Sequence, residues 1–163
     1  LETYSPTHRE LVARVGRWLR LTRGNTVVIC ERVCRVSETP DCLAFRDGNV
    51  STLVECKVSR ADFHADVRKP FRANEAEGVG DFRWYAAPAG ILTPEDMPAG
   101  WGLIEVRRTR VLVTKVAEFK TANKANEVTM LTSAIRRLEI AATVFVRPEA
   151  EERGEVTEIL TEG

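Results

Sequence analysis

The spacing of apolar positions changes several times along the chain, and each change marks an element. Leu11, Val12, Val15, Trp18 and Leu19 recur at helical spacing and predict a helix over 8–21 with one face to the core. Arg9, Arg14, Arg17 and Arg20 lie largely elsewhere on that helix. Ser5-Pro6 supplies an N-cap and a first-turn proline, and Gly24-Asn25 ends the helix. The period then shortens. Residues 27–31, extending to 36, predict a first strand, 41–46 a second and 53–58 a third. Ser59 caps a further helix, with Asp62 three positions on, and Pro70 stops it. After a polar loop over 74–80, residues 82–87, 101–106 and 111–116 read as strands, with a Pro/Gly-rich connection over 88–100. Val128, Leu131, Ile135, Leu138 and Ala142 then outline a late amphipathic helix, whose stripe packs on the sheet or on a second subunit as a homodimer. The expected fold is α/β, a mixed central sheet flanked by helices.

Asp47-Gly48-Asn49 separates two of these strands and offers the positive-φ positions of a tight hairpin. With a three-residue loop, position 46 opposes 50 and 41 opposes 55, so Asp41 and Glu55 are neighbours on one face. A two-residue loop would shift the register and place them on opposite faces. Side chains alternate along a strand, so Glu55 and Lys57 share a face while Val54, Cys56 and Val58 share the other.

At 163 residues the chain is long enough for one domain with a substantial core, expected over 1–148. Hydrophobic content of 44% and charged content of 29% describe an ordinary globular protein. No apolar run reaches the roughly 18 residues that span a membrane. Residues 1–10 are polar and do not read as a signal peptide. The formal net charge of zero hides an asymmetry: residues 149–163 hold six Glu and one Arg, leaving 23 basic and 18 acidic side chains, or +5, on residues 1–148. The tail reads as solvated and mobile, while the basic body suits phosphate contact. Arg60, Arg68, Lys69 and Arg72 make one basic segment, and Lys115, Lys120 and Lys124 another, so Arg60, Arg68, Lys69, Arg72, Lys120 and Lys124 are candidate nucleic-acid contacts. Cys30, Cys34, Cys42 and Cys56 include no C-x-x-C and no partner His spacing, and they read as buried free thiols, which fits a reducing cytoplasm.

Charges inside an apolar strand need pairing or a metal. Two adjacent carboxylates repel each other, and a divalent cation relieves that repulsion. Oxygen donors suit Mg²⁺ or Mn²⁺, which acidifies a bound water and stabilises charge on a phosphate. Lys57 would orient the water or stabilise developing negative charge. The plainer alternative is a surface Glu–Lys pair and a turn-flanking Asp.

Pro40-Asp41 and Glu55-Cys56-Lys57 resemble the PD-(D/E)xK nuclease superfamily, the restriction-endonuclease-like fold. The segment from Val58 to Pro70, which reads VSRADFHADVRKP, is similar to the K-x-S-x-x-D-F-x-x-D segment of MmcB-like DNA-repair-associated proteins, and the strong resemblance covers roughly residues 37–106. The resemblance implies a metal-dependent endonuclease acting on DNA, with Asp41, Glu55 and the backbone carbonyl of Cys56 as metal ligands and Lys57 as the catalytic amine. It also implies that Glu10, in a helix before the core strands, is an additional ligand or water-mediated contact. Asp62 and Asp66, one turn apart, either belong to the helix start or join the metal and DNA neighbourhood. Two rivals stay open: a catalytically silent DNA-binding or repair-accessory protein with this fold, and a dimerising interaction protein.

Overall fold

The computed structural model describes residues 4–30, 39–69 and 76–137. Helix α1 (His8–Leu21) leads into a six-stranded sheet made of β1 (Val27–Cys30), β2 (Cys42–Arg46), β3 (Val50–Cys56), β4 (Phe82–Pro88), β5 (Gly102–Val106) and β6 (Val111–Lys115). Helix α2 (Arg60–Val67) connects β3 to β4, and α3 (Lys124–Arg137) follows β6. The strands lie in sequence order. β1–β2–β3 is an antiparallel meander, β3–β4 and β4–β5 are parallel, and β5–β6 is antiparallel. The architecture is therefore α/β, with a mixed sheet flanked by helices.

Period-2 alternation divides the core between the two sheet faces. Leu11, Val12, Val15 and Leu19 of α1 pack against Cys42, Ala44, Val54, Cys56, Ala86 and Ile104. Leu43, Leu53, Tyr85 and Leu103 face the other way, toward Phe63 of α2 and Met130 of α3. Tyr85 is stacked on Trp101 with ring centroids 4.7 Å apart, and Phe63 meets it edge-on at 4.8 Å. The aromatics of β4 thus serve the core.

Several details differ from the sequence reading. The N-cap of α1 is Thr7, not Ser5: its hydroxyl accepts from the Glu10 N–H, and the Glu10 carboxylate accepts from the Thr7 N–H at 2.8 Å. This reciprocal capping box satisfies two helix-end donors, which Ser5 followed by Pro6 does not do. On α3 the buried residues are Glu127, Met130 and Ala134, whereas Val128 and Ile135 are exposed. The buried face is set by Glu127, which a hydrophobic count assigns to solvent. Its carboxylate accepts from the Gly80 N–H at 2.9 Å and from the Ser51 hydroxyl at 2.5 Å. The strand extension over 31–36, Cys34, Arg72, Leu138, Ala142 and the acidic tail over 149–163 lie outside the described residues. Among the described residues no helix is long and apolar enough to cross a membrane.

Gly80 holds φ +83° where β4 begins, and a Cβ there would lie 2.5 Å from Leu53 Cβ and 2.8 Å from Leu53 N. Positive φ and a backbone clash act together. Gly80→Ala is expected to cost about 2 kcal/mol or more, read as a lowered urea midpoint at unchanged m. A midpoint equal to that of the parent chain would show that β4 enters the sheet differently.

Candidate functional site

The hairpin turn decides whether the site exists. Gly48 and Asn49 take φ of 79° and 60°, and the loop Asp47–Asn49 leaves Arg46 paired with Val50. That is the three-residue register, in which Asp41, one residue before β2, faces the end of β3 at Glu55. The Asp41 carboxylate is fixed by the Cys56 N–H at 2.8 Å.

Lys57 follows β3, and its backbone continues the parallel ladder by donating to the Ala86 carbonyl at 2.8 Å. Its side chain turns inward and is nearly inaccessible, at 4%. The ammonium lies 3.3 Å from Glu55 Oε2, 3.4 Å from Asp66 Oδ1 and 4.0 Å from Asp41 Oδ2. Glu55 and Asp66 are 2% and 1% exposed. Burial alone would lower the lysine pKa, but Glu55, Asp66 and Asp41 outweigh it and hold Lys57 above its ordinary value. It is an ammonium at neutral pH, suited to donating hydrogen bonds to anionic oxygen rather than to accepting a proton.

Asp66 comes from α2, whose start Ser59 sets by accepting from the Asp62 N–H at 3.1 Å. Asp66 is the third carboxylate of the cluster, with Tyr85 donating to it at 2.8 Å and Lys69 pairing at 2.7 Å. Asp62 is half-buried and serves the helix start. His8, the first residue of α1, places Nε2 3.4 Å from Asp41 Oδ2.

Glu10 is placed at the helix cap. It is exposed, and its carboxylate is committed to Thr7, whose backbone and hydroxyl hydrogen bonds hold its pKa below the ordinary value. The α1 residue beside Asp41 is His8, two positions earlier. A histidine at a helix start carries little sequence signal. Asp66 was more legible, since a second Asp one turn after Asp62 falls on the same helix face.

Cys56 joins the cluster through its backbone. Its side chain lies on the α1 face beside Cys42, and burial pushes its thiol pKa up. Cys30 and Cys42 approach to 3.1 Å between sulfurs. The Cys30 hydrogen bond favours the Cys42 thiolate, but the hydrogen bond to Cys56 and burial override it and push Cys42 well up. Cys42 and Cys56 are free thiols.

Asp41 and Glu55 offer carboxylate oxygen, the donor type that holds Mg²⁺ while water and substrate phosphate complete its shell. The point on which the two carboxylates converge is held by the Lys57 ammonium. Among the described residues no group of three or more His, Cys, Asp or Glu side chains is disposed to hold a metal ion, and this donor set has only two side chains.

Three of the candidate nucleic-acid contacts are engaged within the fold. Arg60 forms a bidentate pair with Asp96, Lys69 pairs with Asp66, and Lys124 pairs with Asp81 and Glu127. Arg68 is exposed, and Lys120 is half-buried beside Gly100.

No protein-family model matches the chain, and no curated protein matches it. The chain is similar in structure to SPO1766, a protein of unknown function from Silicibacter pomeroyi, at 26% identity and a TM-score of 0.63, over 83% of this chain and 91% of that one.

Proposed function

We propose that the chain is a metal-dependent DNA endonuclease of the PD-(D/E)xK type, working in the cytoplasm in DNA repair, recombination or phage DNA processing. The observation that carries this reading is the convergence of Asp41, Glu55 and the buried Lys57 ammonium at the end of β3, within 4.0 Å of one another's charged atoms through Nζ. Asp41, Glu55 and the Cys56 carbonyl would hold Mg²⁺ or Mn²⁺, which when bound acidifies water and stabilises charge on phosphate oxygens. Lys57, held protonated by its three carboxylates, donates to a phosphate oxygen as negative charge develops there. Asp66 and Tyr85 fix the direction of that donor.

With Mg²⁺ or Mn²⁺, the protein is expected to cleave at least one of supercoiled, branched or single-stranded DNA. Asp41→Ala is expected to lower the rate at least about 100-fold. Asp41 is the primary position because Lys57→Ala also removes a buried charge. Cleavage that survives both substitutions would refute the site.

A second reading has its own observation. Three carboxylates already surround the Lys57 ammonium, so the cluster is electrostatically supported without a metal. That favours a non-hydrolytic DNA-binding or repair-accessory protein, which predicts salt-sensitive DNA affinity and no cleavage with either ion.

A further inference from the structure

A groove of about 1060 Å³ runs between one flank of α1 and the β5–β6 turn. Among the described residues its charged lining is Arg14, Arg17, Arg108, Arg110 and Glu10. Glu10 is committed to capping Thr7. Arg14 fixes the geometry: its guanidinium donates to the Arg108 carbonyl at 2.6 Å and lies over the Tyr4 ring at 5.5 Å, tying the helix to the turn. Arg17, Arg108 and Arg110 are exposed. Among the described residues, Arg17 and Arg110 bring two exposed guanidinium groups to the groove from two elements, beside Arg14 and the already engaged Glu10.

Its position gives it a partner. β3 and β4 are parallel and end at Cys56 and Pro88, and β4 pairs with β5 as far as Val106. The turn over 107–110 therefore lies at the same end of the sheet as the Asp41–Glu55–Lys57 cluster. The groove is on the α1 face, and Glu55 and Asp66 are on the α2 face. Asp41 links the two, since its carboxylate reaches both His8 at the start of α1 and Lys57. A chain of regularly spaced phosphates that lies along α1 passes over the sheet end where the cluster sits.

We infer that the α1/β5–β6 groove binds the phosphodiester backbone of nucleic acid, with Arg17 and Arg110 contacting phosphates on the strand flanking the position held by Asp41, Glu55 and Lys57. The site of contact rests on the groove, and the flanking role rests on the nuclease reading above. The groove takes the place of the internally paired Arg60, Lys69 and Lys124 as the principal phosphate contact.

The test is fluorescence anisotropy of a fluorescein-labelled duplex oligonucleotide with the full chain in EDTA, over a series of salt concentrations. Arg17→Ala/Arg110→Ala is expected to weaken binding at least about 10-fold and to reduce the magnitude of the log–log salt slope by roughly 2, one for each lost phosphate contact. Arg17→Lys/Arg110→Lys is expected to keep most of the slope. Both positions are exposed, and circular dichroism checks that each variant keeps its fold. Unchanged affinity and slope in the alanine variant would overturn the inference, whatever Asp41→Ala does to cleavage. Weakened binding in the absence of any cleavage by the parent chain would support the groove and count against the nuclease reading alone.

Discussion

Lys57→Ala is expected to destabilise the fold by about 3–5 kcal/mol, a fall in Tm of roughly 6–20 °C for a domain of this size. The cause is what the substitution leaves behind. Glu55 and Asp66 are almost wholly buried, and the Lys57 ammonium lies 3.3 and 3.4 Å from their oxygens. Removing the cation takes a buried counter-charge from both, while Asp66 keeps Lys69 and Tyr85. Adding Glu55→Gln to Lys57→Ala should recover part of the loss, because the buried Glu55 charge goes with it, and a double-mutant cycle in urea measures that coupling. The pH dependence follows from the direction of the lysine shift. Its folded pKa lies above the ordinary 10.5, so its contribution is fully present below that value and is lost as pH rises through the folded pKa. The gap between parent and variant should stay constant from neutral pH to about pH 10 and shrink above it. A loss under 1 kcal/mol at neutral pH would mean that Lys57 is solvated and that the cluster is not closed.

The second large effect lies at the other end of β3. Asp81→Ala is expected to cost about 3–5 kcal/mol, since it breaks a buried polar network rather than a single bond. The Asp81 carboxylate accepts from the Ser51 N–H at 2.8 Å, the Ala122 N–H at 3.1 Å and Lys124 Nζ at 2.5 Å, and the Ser51 hydroxyl that donates to Glu127 accepts from the Asp81 N–H at 3.1 Å. These bonds join β3, β4 and the segment leading into α3. Asp81→Asn should cost less at neutral pH, because the amide keeps one acceptor. Burial pushes the Asp81 pKa up, but Lys124, Ser51 and Ala122 together hold it below its ordinary 3.8. That stabilisation is present above the unfolded value and is lost as pH falls through the lower folded one. The difference between the parent and Asp81→Asn should therefore narrow below about pH 4. Urea midpoints at pH 7 and pH 3 check it, and an equal gap at both would refute the carboxylate's role.

The cluster around Lys57 and the network around Asp81 bracket β3, and both consist of charges placed where a hydrophobic pattern predicts core. This explains where the sequence was legible. Helix α1 and the strands carry their period openly, because burying one face is what creates the period. The turn chemistry of Asp47-Gly48-Asn49 marked a hairpin, whose three-residue register, the one that makes Asp41 and Glu55 neighbours, the structure supplied, while strand alternation placed Lys57 with Glu55 and turned the Cys56 side chain away. Charged residues with tertiary partners were not legible in the same way. Glu127 reads as a solvent residue until Gly80 and Ser51 are seen to donate to it. Arg60, Lys69 and Lys124 read as a phosphate surface until Asp96, Asp66 and Asp81 are seen beside them.

By itself, then, the sequence determined the α/β alternation and offered Asp41, Glu55 and Lys57 as one candidate site on condition of a three-residue turn, since strand alternation depends on local period; the structure supplied that turn. Only the tertiary structure decided that Asp66 and His8 lie beside that site while Glu10 caps its own helix, and that Arg17 and Arg110 line one groove between α1 and the β5–β6 turn. The physical reason is that a charge's role depends on which opposite charge lies within a few ångströms, and those partners, such as Lys57–Asp66 and Lys124–Asp81, are set by chain crossings far apart in sequence.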